Sequence, residues 1–117
     1  MKVIVCGGRN LKDVDKKMFN WVCKKLKELN ATELVSGMAS GGDRIGIDAA
    51  NHLGIPIDAY RANWKKLGPA AGHLRNQVMA IFAEACLVLP GGRGTADMQE
   101  RASKMNLKIY KFTDDED

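Results

Sequence analysis

Apolar positions along the chain alternate between short unbroken runs and longer stretches in which every third or fourth residue is apolar. A short apolar run bounded by turn residues is typical of a buried β-strand, whereas the longer spacing is typical of an amphipathic helix. The runs predict five strands, at residues 2–6, 33–36, 56–60, 86–89 and 108–112. The helical spacing predicts four helices, at about residues 14–29, 43–53, 72–83 and 95–105, with a loop at 61–71.

Two of these helices carry end signals. In the first helix Val14, Met18 and Val22 fall on one face, and Asp13 stands where an N-cap is expected. Gly54 follows the second helix at the position where glycine commonly ends a helix.

Strands and helices that alternate along a chain favour a parallel sheet with helices on both faces. We therefore predict an α/β fold, a Rossmann-like three-layer sandwich around a parallel five-stranded sheet of order 3-2-1-4-5. In that order the first and fourth strands are neighbours. The length of 117 residues suits one domain, which we place at residues 1–113, followed by an acidic tail at 114–117.

Composition narrows the class of protein. Hydrophobic residues make up 45% and charged residues 27%, which is typical of a globular domain. The three cysteines are widely spaced without a CxxC pair and there are only two histidines, so we expect neither a disulfide framework nor a metal site. The N-terminal apolar run is too short for a signal peptide or a membrane span. We expect a cytoplasmic protein without membrane contact, and no cofactor is indicated.

The net charge of +4 is unevenly distributed. Four acidic residues occupy positions 114–117, so residues 1–113 carry a net charge of +8. A positive body favours anionic ligands and speeds their encounter. The alternative interpretation is a solvated lysine-rich surface, because several of the lysines fall in the first predicted helix.

Glycine-rich loops follow three of the predicted strands. They are GGRN after the first strand, SGMASGGDR after the second and PGGRGT after the fourth. In open α/β sheets ligands bind beyond the carboxyl ends of the strands, where the strand order reverses. Glycine lets backbone amides approach a ligand closely, and a helix that starts there adds unpaired amides and the positive end of its dipole. The sequence therefore predicts a phosphate site at this edge, although any one loop alone could be a tight turn.

The candidate ligand-binding residues are polar or glycine positions in these loops and on the helices near them. They are Gly7, Gly8, Arg9, Ser36, Gly37, Asp43, Arg44, Arg75, Asn76, Gly91, Gly92, Arg93, Gly94, Thr95 and Asp97. The arginines offer planar forks suited to phosphate, or alternatively form surface salt bridges. Neither GxGxxG after the first strand nor GxxxxGK[ST] is present, which disfavours dinucleotide coenzymes and P-loop nucleotide chemistry.

Several candidates have equally good structural interpretations. Asp97 either contacts a ribose hydroxyl or compensates the helix dipole while pairing with Arg101 four residues later. Asp43 either caps its helix or contacts the ligand. Tyr60 and Trp64 flank the 61–71 loop and either stack on a base or pack against the sheet.

The order of these motifs resembles the SLOG (SMF/DprA–LOG) superfamily, and within it the branch named for YspA and related to YpsA. The resemblance rests on GGR, SGxxxGxD, the Trp64 loop, GPAAGHLRN and LPGGRGTADM, and covers nearly the whole chain. It implies a Rossmann-like fold that binds nucleotides or related ligands. Some members are enzymes, others are ligand sensors, and the DprA branch binds single-stranded DNA.

Part of the chain is similar to the LOG enzymes, which release a base from nucleoside 5′-monophosphates and carry HxRKxxM and PGGxGTxxE. Residues 73–79 fit the first motif except that Asn76 replaces lysine, and residues 90–95 fit the second. Met98 stands at the glutamate position. If the protein is an enzyme, the resemblance implies Arg75 and Asp97 as catalytic residues.

Three functions remain open at this point. The leading hypothesis is a module that binds a nucleotide or nucleotide derivative, as a sensor or a sequestering protein. The alternative is a phosphoribohydrolase of nucleoside 5′-monophosphates. A single-stranded DNA binder is disfavoured because only 6% of residues are aromatic, so stacking platforms are few. A homo-oligomer is left open.

Overall fold

The computed structural model describes residues 1–114. In chain order the elements are β1 (Lys2–Cys6), α1 (Lys17–Glu28), β2 (Glu33–Ser36), α2 (Gly42–Leu53), β3 (Ile57–Ala59), α3 (Trp64–Leu67), a 3₁₀ turn (Gly68–Ala70), α4 (Ala71–Phe82), β4 (Ala85–Val88), α5 (Arg93–Lys104) and β5 (Lys108–Lys111). Within the described part of the chain no helix is long and apolar enough to cross a membrane.

All five strands run parallel in the order β3-β2-β1-β4-β5, which confirms the predicted topology. Val3 in β1 lies opposite Leu34 in β2 and Ala85 in β4. Because β1 and β4 are adjacent, the loops that follow them meet, and the Gly8 amide donates a hydrogen bond to the Pro90 carbonyl at 2.9 Å. This contact joins two of the three glycine-rich loops.

The sheet separates two apolar layers, because successive side chains of a strand point to opposite faces. Val3 and Val5 pack into the layer that contains Leu26 of α1 and residues of α2. Ile4 and Cys6 pack into the other layer, which contains Met79 of α4 and residues of α5. Strands covered on both faces are apolar along their whole length, and each fully buried Val or Leu side chain stabilises the fold by about 1.5–3 kcal/mol.

The start of the first helix differs from the predicted one. The first helix begins at Lys17 rather than near Val14, which is 92% exposed and belongs to no apolar face. Lys16 precedes the helix with a φ of 63°, so the chain turns sharply there. Asp13 nevertheless serves the helix, because its carboxylate accepts hydrogen bonds from the amides of Met18 and Phe19 at 3.1 and 2.8 Å.

Two further differences affect the region of the glycine loops. The segment predicted as a loop at 61–71 contains α3 and the 3₁₀ turn. The last long helix begins at Arg93, two residues earlier than predicted, so Asp97 lies in its second turn. Gly54 ends α2 with a φ of 72°, as its position predicted. Of the acidic tail predicted at 114–117, residues 115–117 lie outside the described residues.

Candidate functional site

A cavity of about 240 Å³ lies at the carboxyl ends of β1, β2 and β4. It is bounded by all three glycine-rich loops and by the facing sides of α4 and α5. Its lining residues are Cys6, Gly7, Gly8, Arg9, Gly37, Ala39, Asp43, Arg75, Asn76, Met79, Gly92, Arg93, Gly94, Thr95 and Met98.

Close backbone contact between two of the loops shapes one wall of the cavity. The Gly42 amide donates to the Gly8 carbonyl at 3.0 Å, and a Cβ on Gly42 would overlap the backbone of Gly7. Gly41 has a φ of 69°, a conformation that favours glycine. The SGMASGGDR segment therefore needs its paired glycines to bring the start of α2 against the loop after β1.

The N-terminus of α5 presents unpaired amides at the cavity. Within residues 1–114 the amides of Gly92, Arg93, Gly94 and Thr95 donate no hydrogen bond, and no side chain caps the helix. A Cβ on Gly92 or Gly94 would meet nothing within 4 Å, so packing inside the protein does not require glycine at either position. Unpaired amides at the positive end of a helix dipole, with open space beside them, form a favourable anion-binding site.

Arg75 projects from α4 into the cavity and is held there from two sides. Its Nε donates to Asn76 Oδ1 and its Nη1 donates to the Gly37 carbonyl, each at 3.1 Å. Nη2 donates no hydrogen bond to any described residue, which leaves it available to an anion. A Cβ on Gly37 would lie 2.7 Å from Nη1, so the missing side chain makes room for the guanidinium.

Asp97 does not line the cavity but supports the residues that do. Its Oδ2 accepts hydrogen bonds from Asn76 Nδ2 and Arg101 Nε, each at 3.0 Å, and His73 Nδ1 lies 3.2 Å from Oδ1. Burial alone would raise the pKa of Asp97, but these hydrogen bonds together with the charge of Arg101 outweigh it and lower the pKa below its ordinary value. The pair with Arg101 is the one expected from the spacing of four residues. A chain of hydrogen bonds thus runs from Asp97 through Asn76 to the guanidinium of Arg75.

Asp43 is the one carboxylate among the lining residues of the described chain. It is buried in the first turn of α2, and its Oδ2 accepts a hydrogen bond from the Ala39 amide at 3.1 Å. Burial raises the pKa of Asp43, although the Ala39 hydrogen bond and the positive charge of Arg75 both oppose the shift. A carboxylate oxygen in this position can accept hydrogen bonds from ligand hydroxyls.

The structure brings most of the predicted site residues together. Those that line the cavity are Gly7, Gly8, Arg9, Gly37, Asp43, Arg75, Asn76, Gly92, Arg93, Gly94 and Thr95. The other four are placed elsewhere. Ser36 is buried, and its Oγ accepts a hydrogen bond from the Met38 amide at 3.1 Å. Arg44 is exposed and pairs with Asp48 at 3.1 Å. Asp97 is separated from the cavity by Asn76, which donates a hydrogen bond to it.

Gly91 is not among the residues that line the main cavity. A Cβ there would overlap Thr95 Oγ1, so this glycine is required by packing. It lines a second, shallower hollow with Asn10, Leu11 and Pro90. Gly8, Arg9 and Gly92 line both spaces, so the two hollows adjoin at the glycine loops.

Four lining residues were not among the predicted site residues: Cys6, Ala39, Met79 and Met98. Cys6 is the last residue of β1, and Met79 follows Arg75 by one helical turn. The sequence position of each residue therefore already indicated that it could line the site. Cys6 Sγ lies 3.8 Å from Cys86 Sγ, and the pKa of Cys6 is raised by this neighbouring thiol and by burial. Within residues 1–114 no group of three or more His, Cys, Asp or Glu side chains is placed to hold a metal ion.

The two aromatic candidates lie outside the cavity lining. The Tyr60 hydroxyl donates to Asp58 at 2.8 Å, and its ring stacks on Phe82 at a centroid distance of 6.3 Å. Trp64 is half-exposed in α3, beside the start of α4, where a Cβ on Gly72 would lie 3.2 Å from its ring.

Comparison with known proteins identifies the family. Residues 1–67 match the model of the YAcAr family, described as the YspA, cpYpsA-related SLOG family. This segment runs from β1 to α3 and contains two of the three glycine-rich loops that bound the cavity. No curated protein and no solved structure shows a significant match to the chain. Since the matched segment exceeds half of the chain and contains GGRN and SGMASGGDR, the protein belongs to the YspA, cpYpsA-related SLOG family.

Proposed function

We propose that this protein binds a phosphorylated, nucleotide-derived small molecule and acts in the cytoplasm as a sensor or a sequestering module. One observation carries the proposal: the unpaired amides of Gly92–Thr95 border a cavity that also contains the guanidinium of Arg75, which is held in place by its hydrogen bonds to Asn76 and Gly37. Amides and guanidinium together match a phosphate in charge and in hydrogen-bond geometry. Membership of a SLOG family is in keeping with a nucleotide-related ligand.

The size of the cavity limits which part of the ligand it encloses. Pockets for complete small-molecule ligands usually measure about 300–1,000 Å³, so a cavity of about 240 Å³ suits a phosphate and a sugar. The carboxylate of Asp43 would accept hydrogen bonds from the sugar hydroxyls. The base would extend into the adjoining open hollow beside Asn10 and Pro90, which shares Arg9 with the cavity.

Retention without rapid hydrolysis follows from the side chains around the sugar. Glycosidic cleavage needs a carboxylate beside the glycosidic carbon, rather than at the sugar hydroxyls, to stabilise developing positive charge or orient water. Met98 lines the cavity where the LOG motif has glutamate, and Asp97 is engaged by Asn76, Arg101 and His73. Loss of such a group commonly lowers a rate by about 100–1000-fold, whereas phosphate contacts that are equal in ground and transition states preserve binding.

The phosphoribohydrolase alternative is favoured by one observation, the carboxylate of Asp43 in the same cavity as Arg75. Because Asp97 lies behind Asn76, hydrolysis in this cavity would use Asp43 as the reacting carboxylate. Single-stranded DNA binding is less well supported, because no aromatic side chain is among the lining residues of the described chain.

Calorimetric titration with nucleoside 5′-monophosphates, nucleoside diphosphates and ADP-ribose tests the binding proposal. Arg93→Ala should weaken binding by about 10- to 100-fold, because a charge-assisted hydrogen bond to phosphate is worth about 1.5–3 kcal/mol. Arg44→Ala is the matched control, since Arg44 lies in the first turn of α2 but pairs with Asp48 and does not line the cavity. Equal losses in both variants, or none in either, would contradict the proposed phosphate position.

A turnover assay separates the two candidate functions. The protein is incubated with purine and pyrimidine 5′-monophosphates, and free base is followed by chromatography. We expect slow or absent base release from the wild type and a measurable gain in Met98→Glu. Several turnovers per minute that are abolished in Asp43→Asn or Asp97→Asn would establish the enzyme instead.

A further inference from the structure

The indole of Trp64 is held in position and yet left uncovered. Trp64 is 51% exposed, whereas the other tryptophan, Trp21, is 7% exposed and packs in the core. Within residues 1–114 the Trp64 ring stacks on no other aromatic ring and belongs to neither apolar layer. The short helix α3 fixes its backbone, since the Asn63 side chain accepts a hydrogen bond from the Lys66 amide at 3.1 Å. A large aromatic side chain in this state is available to stack on a ligand.

Glycine at position 72 makes room for this indole. A Cβ on Gly72 would lie 3.2 Å from Trp64 Cη2 and 3.8 Å from Cζ2. Gly72 is not among the glycines with positive φ, and glycine inside a helix is less favourable than alanine. Neither the backbone nor the helix propensity of α4 therefore calls for glycine here. What the missing side chain provides is space for the edge of the indole beside α4.

The indole borders the same space as the free nitrogen of Arg75. The Cβ position on Gly72 also lies 4.0 Å from Arg75 Nη2, the nitrogen that donates no hydrogen bond to any described residue. Arg75 is bonded to the Gly37 carbonyl after β2, and Trp64 follows β3, which pairs with β2 at the edge of the sheet. The open hollow is lined instead by the loops after β1 and β4. A phosphate at Arg75 would thus have Trp64 towards β3 and the open hollow towards β4.

The segment around Trp64 carries positive charge and no negative charge. Residues 59–83 contain no aspartate or glutamate, and they contain Arg61, Lys65, Lys66 and Arg75. A positive surface next to an anion site attracts negatively charged ligands and speeds their encounter. This surface therefore favours a ring that is joined to phosphate over an uncharged aromatic compound.

We propose that Trp64 stacks on a second planar ring of the ligand, which makes the ligand a compound with one nucleoside at each end of a diphosphate. The proposal rests on the proposed function, in which the first base occupies the open hollow and a phosphate meets Arg75. An exposed indole can stack on any base, because every base has a π-face. Since α3 already holds Trp64 in place, stacking costs little conformational entropy.

Calorimetric titration with ADP-ribose and with diadenosine diphosphate tests the proposal. Both compounds contain adenosine and a diphosphate, and they differ in the second adenine. The wild type should bind diadenosine diphosphate about 10-fold more tightly or better, which is the size of effect that stacking of one base commonly has. Trp64→Leu should bring the two affinities together, whereas Trp64→Phe keeps an aromatic ring and should retain most of the preference. Leu67→Ala is the matched control, because Leu67 is an exposed apolar residue of the same short helix.

The outcomes separate this inference from the proposed function. Equal affinities of the wild type for the two compounds would overturn the second-ring site while nucleotide binding stands. A preference that persists in Trp64→Leu would overturn it as well, because the second adenine would then bind elsewhere. Absence of binding of both compounds to the wild type would contradict the proposed function itself.

Tryptophan fluorescence provides an independent readout of the same contact. Diadenosine diphosphate should quench or shift the emission of the wild type, because a stacked ring changes the surroundings of the indole. Trp64→Leu retains Trp21 as its single tryptophan, and its emission should not respond. An equal response of the two proteins would show that Trp21 reports the binding and would contradict stacking on Trp64.

Discussion

Substitution of Gly37 by alanine should displace Arg75 without touching Arg75 itself. A Cβ at position 37 would lie 2.7 Å from Arg75 Nη1 and 2.9 Å from Cζ, which is closer than side chains pack. The guanidinium must move, and its hydrogen bond to the Gly37 carbonyl is lost. Gly37 is not among the glycines with positive φ, so alanine introduces no backbone strain.

The expected effect falls on binding rather than on stability. Removal of a guanidinium from a phosphate costs about 1.5–3 kcal/mol, so affinity for a nucleoside 5′-monophosphate should drop about 10- to 100-fold. The free energy of unfolding should change by less than about 1 kcal/mol, because alanine reduces the entropy of the unfolded chain by a similar amount. Calorimetric titration measures the affinity and urea denaturation measures the stability.

A double-mutant cycle provides the control and the refutation. If Gly37→Ala acts through Arg75, it should have no further effect on affinity in an Arg75→Ala background. Gly37 also lines the cavity, so a direct clash between the new methyl group and the ligand is the competing explanation. Additive losses in the double variant would show such a clash and refute the reasoning.

Three further predictions concern pH and packing. The folded-state pKa of Asp97 lies below its ordinary value of 3.8, so on acidification the unfolded chain binds a proton at this residue before the folded chain does. The stability should therefore fall as the pH drops below about 4, and it should fall less steeply in Asp97→Asn. Urea denaturation at several pH values measures both. The raised pKa of Asp43 acts in the opposite sense, so the contribution of Asp43 to stability should decline as the pH rises above 3.8. Asp43→Asn should remove that decline and should also weaken the binding of ligands that carry ribose hydroxyls. Gly42→Ala should destabilise the protein by roughly 1–3 kcal/mol, because its Cβ would overlap the Gly7 backbone; an unchanged thermal midpoint would contradict this.

Local patterns in the sequence determined the topology and the location of the cavity. Apolar runs that alternate with helical spacing leave few arrangements other than a parallel sheet, and all parallel strands of one sheet end at the same edge. The loops that begin at Gly7, Gly37 and Pro90 therefore had to approach one another once β1 and β4 were neighbours. The glycines of these loops could be identified as candidate ligand contacts from the sequence alone, because the lack of a side chain is what lets a backbone approach closely.

Which side chains enter the cavity was decided only by the tertiary structure. Asp43 and Asp97 had equivalent alternatives in the sequence, yet one lines the cavity and the other is turned towards Asn76 and Arg101. The contact of the start of α2 with the loop after β1 directs Asp43 towards the cavity, whereas the hydrogen bond from Asn76 on α4 directs Asp97 away from it, and both contacts join residues distant in sequence.

The same limit applies to apolar residues. Val14 continued the helical spacing but lies before the helix begins, because the sharp turn at Lys16 separates it from the apolar face. In α4, Val78 and Met79 are equally apolar neighbours, and only the sheet beneath determines that Met79 is buried while Val78 faces outwards. Periodicity specifies the relative directions of side chains along one helix, whereas contact with the rest of the fold selects the direction that becomes the core.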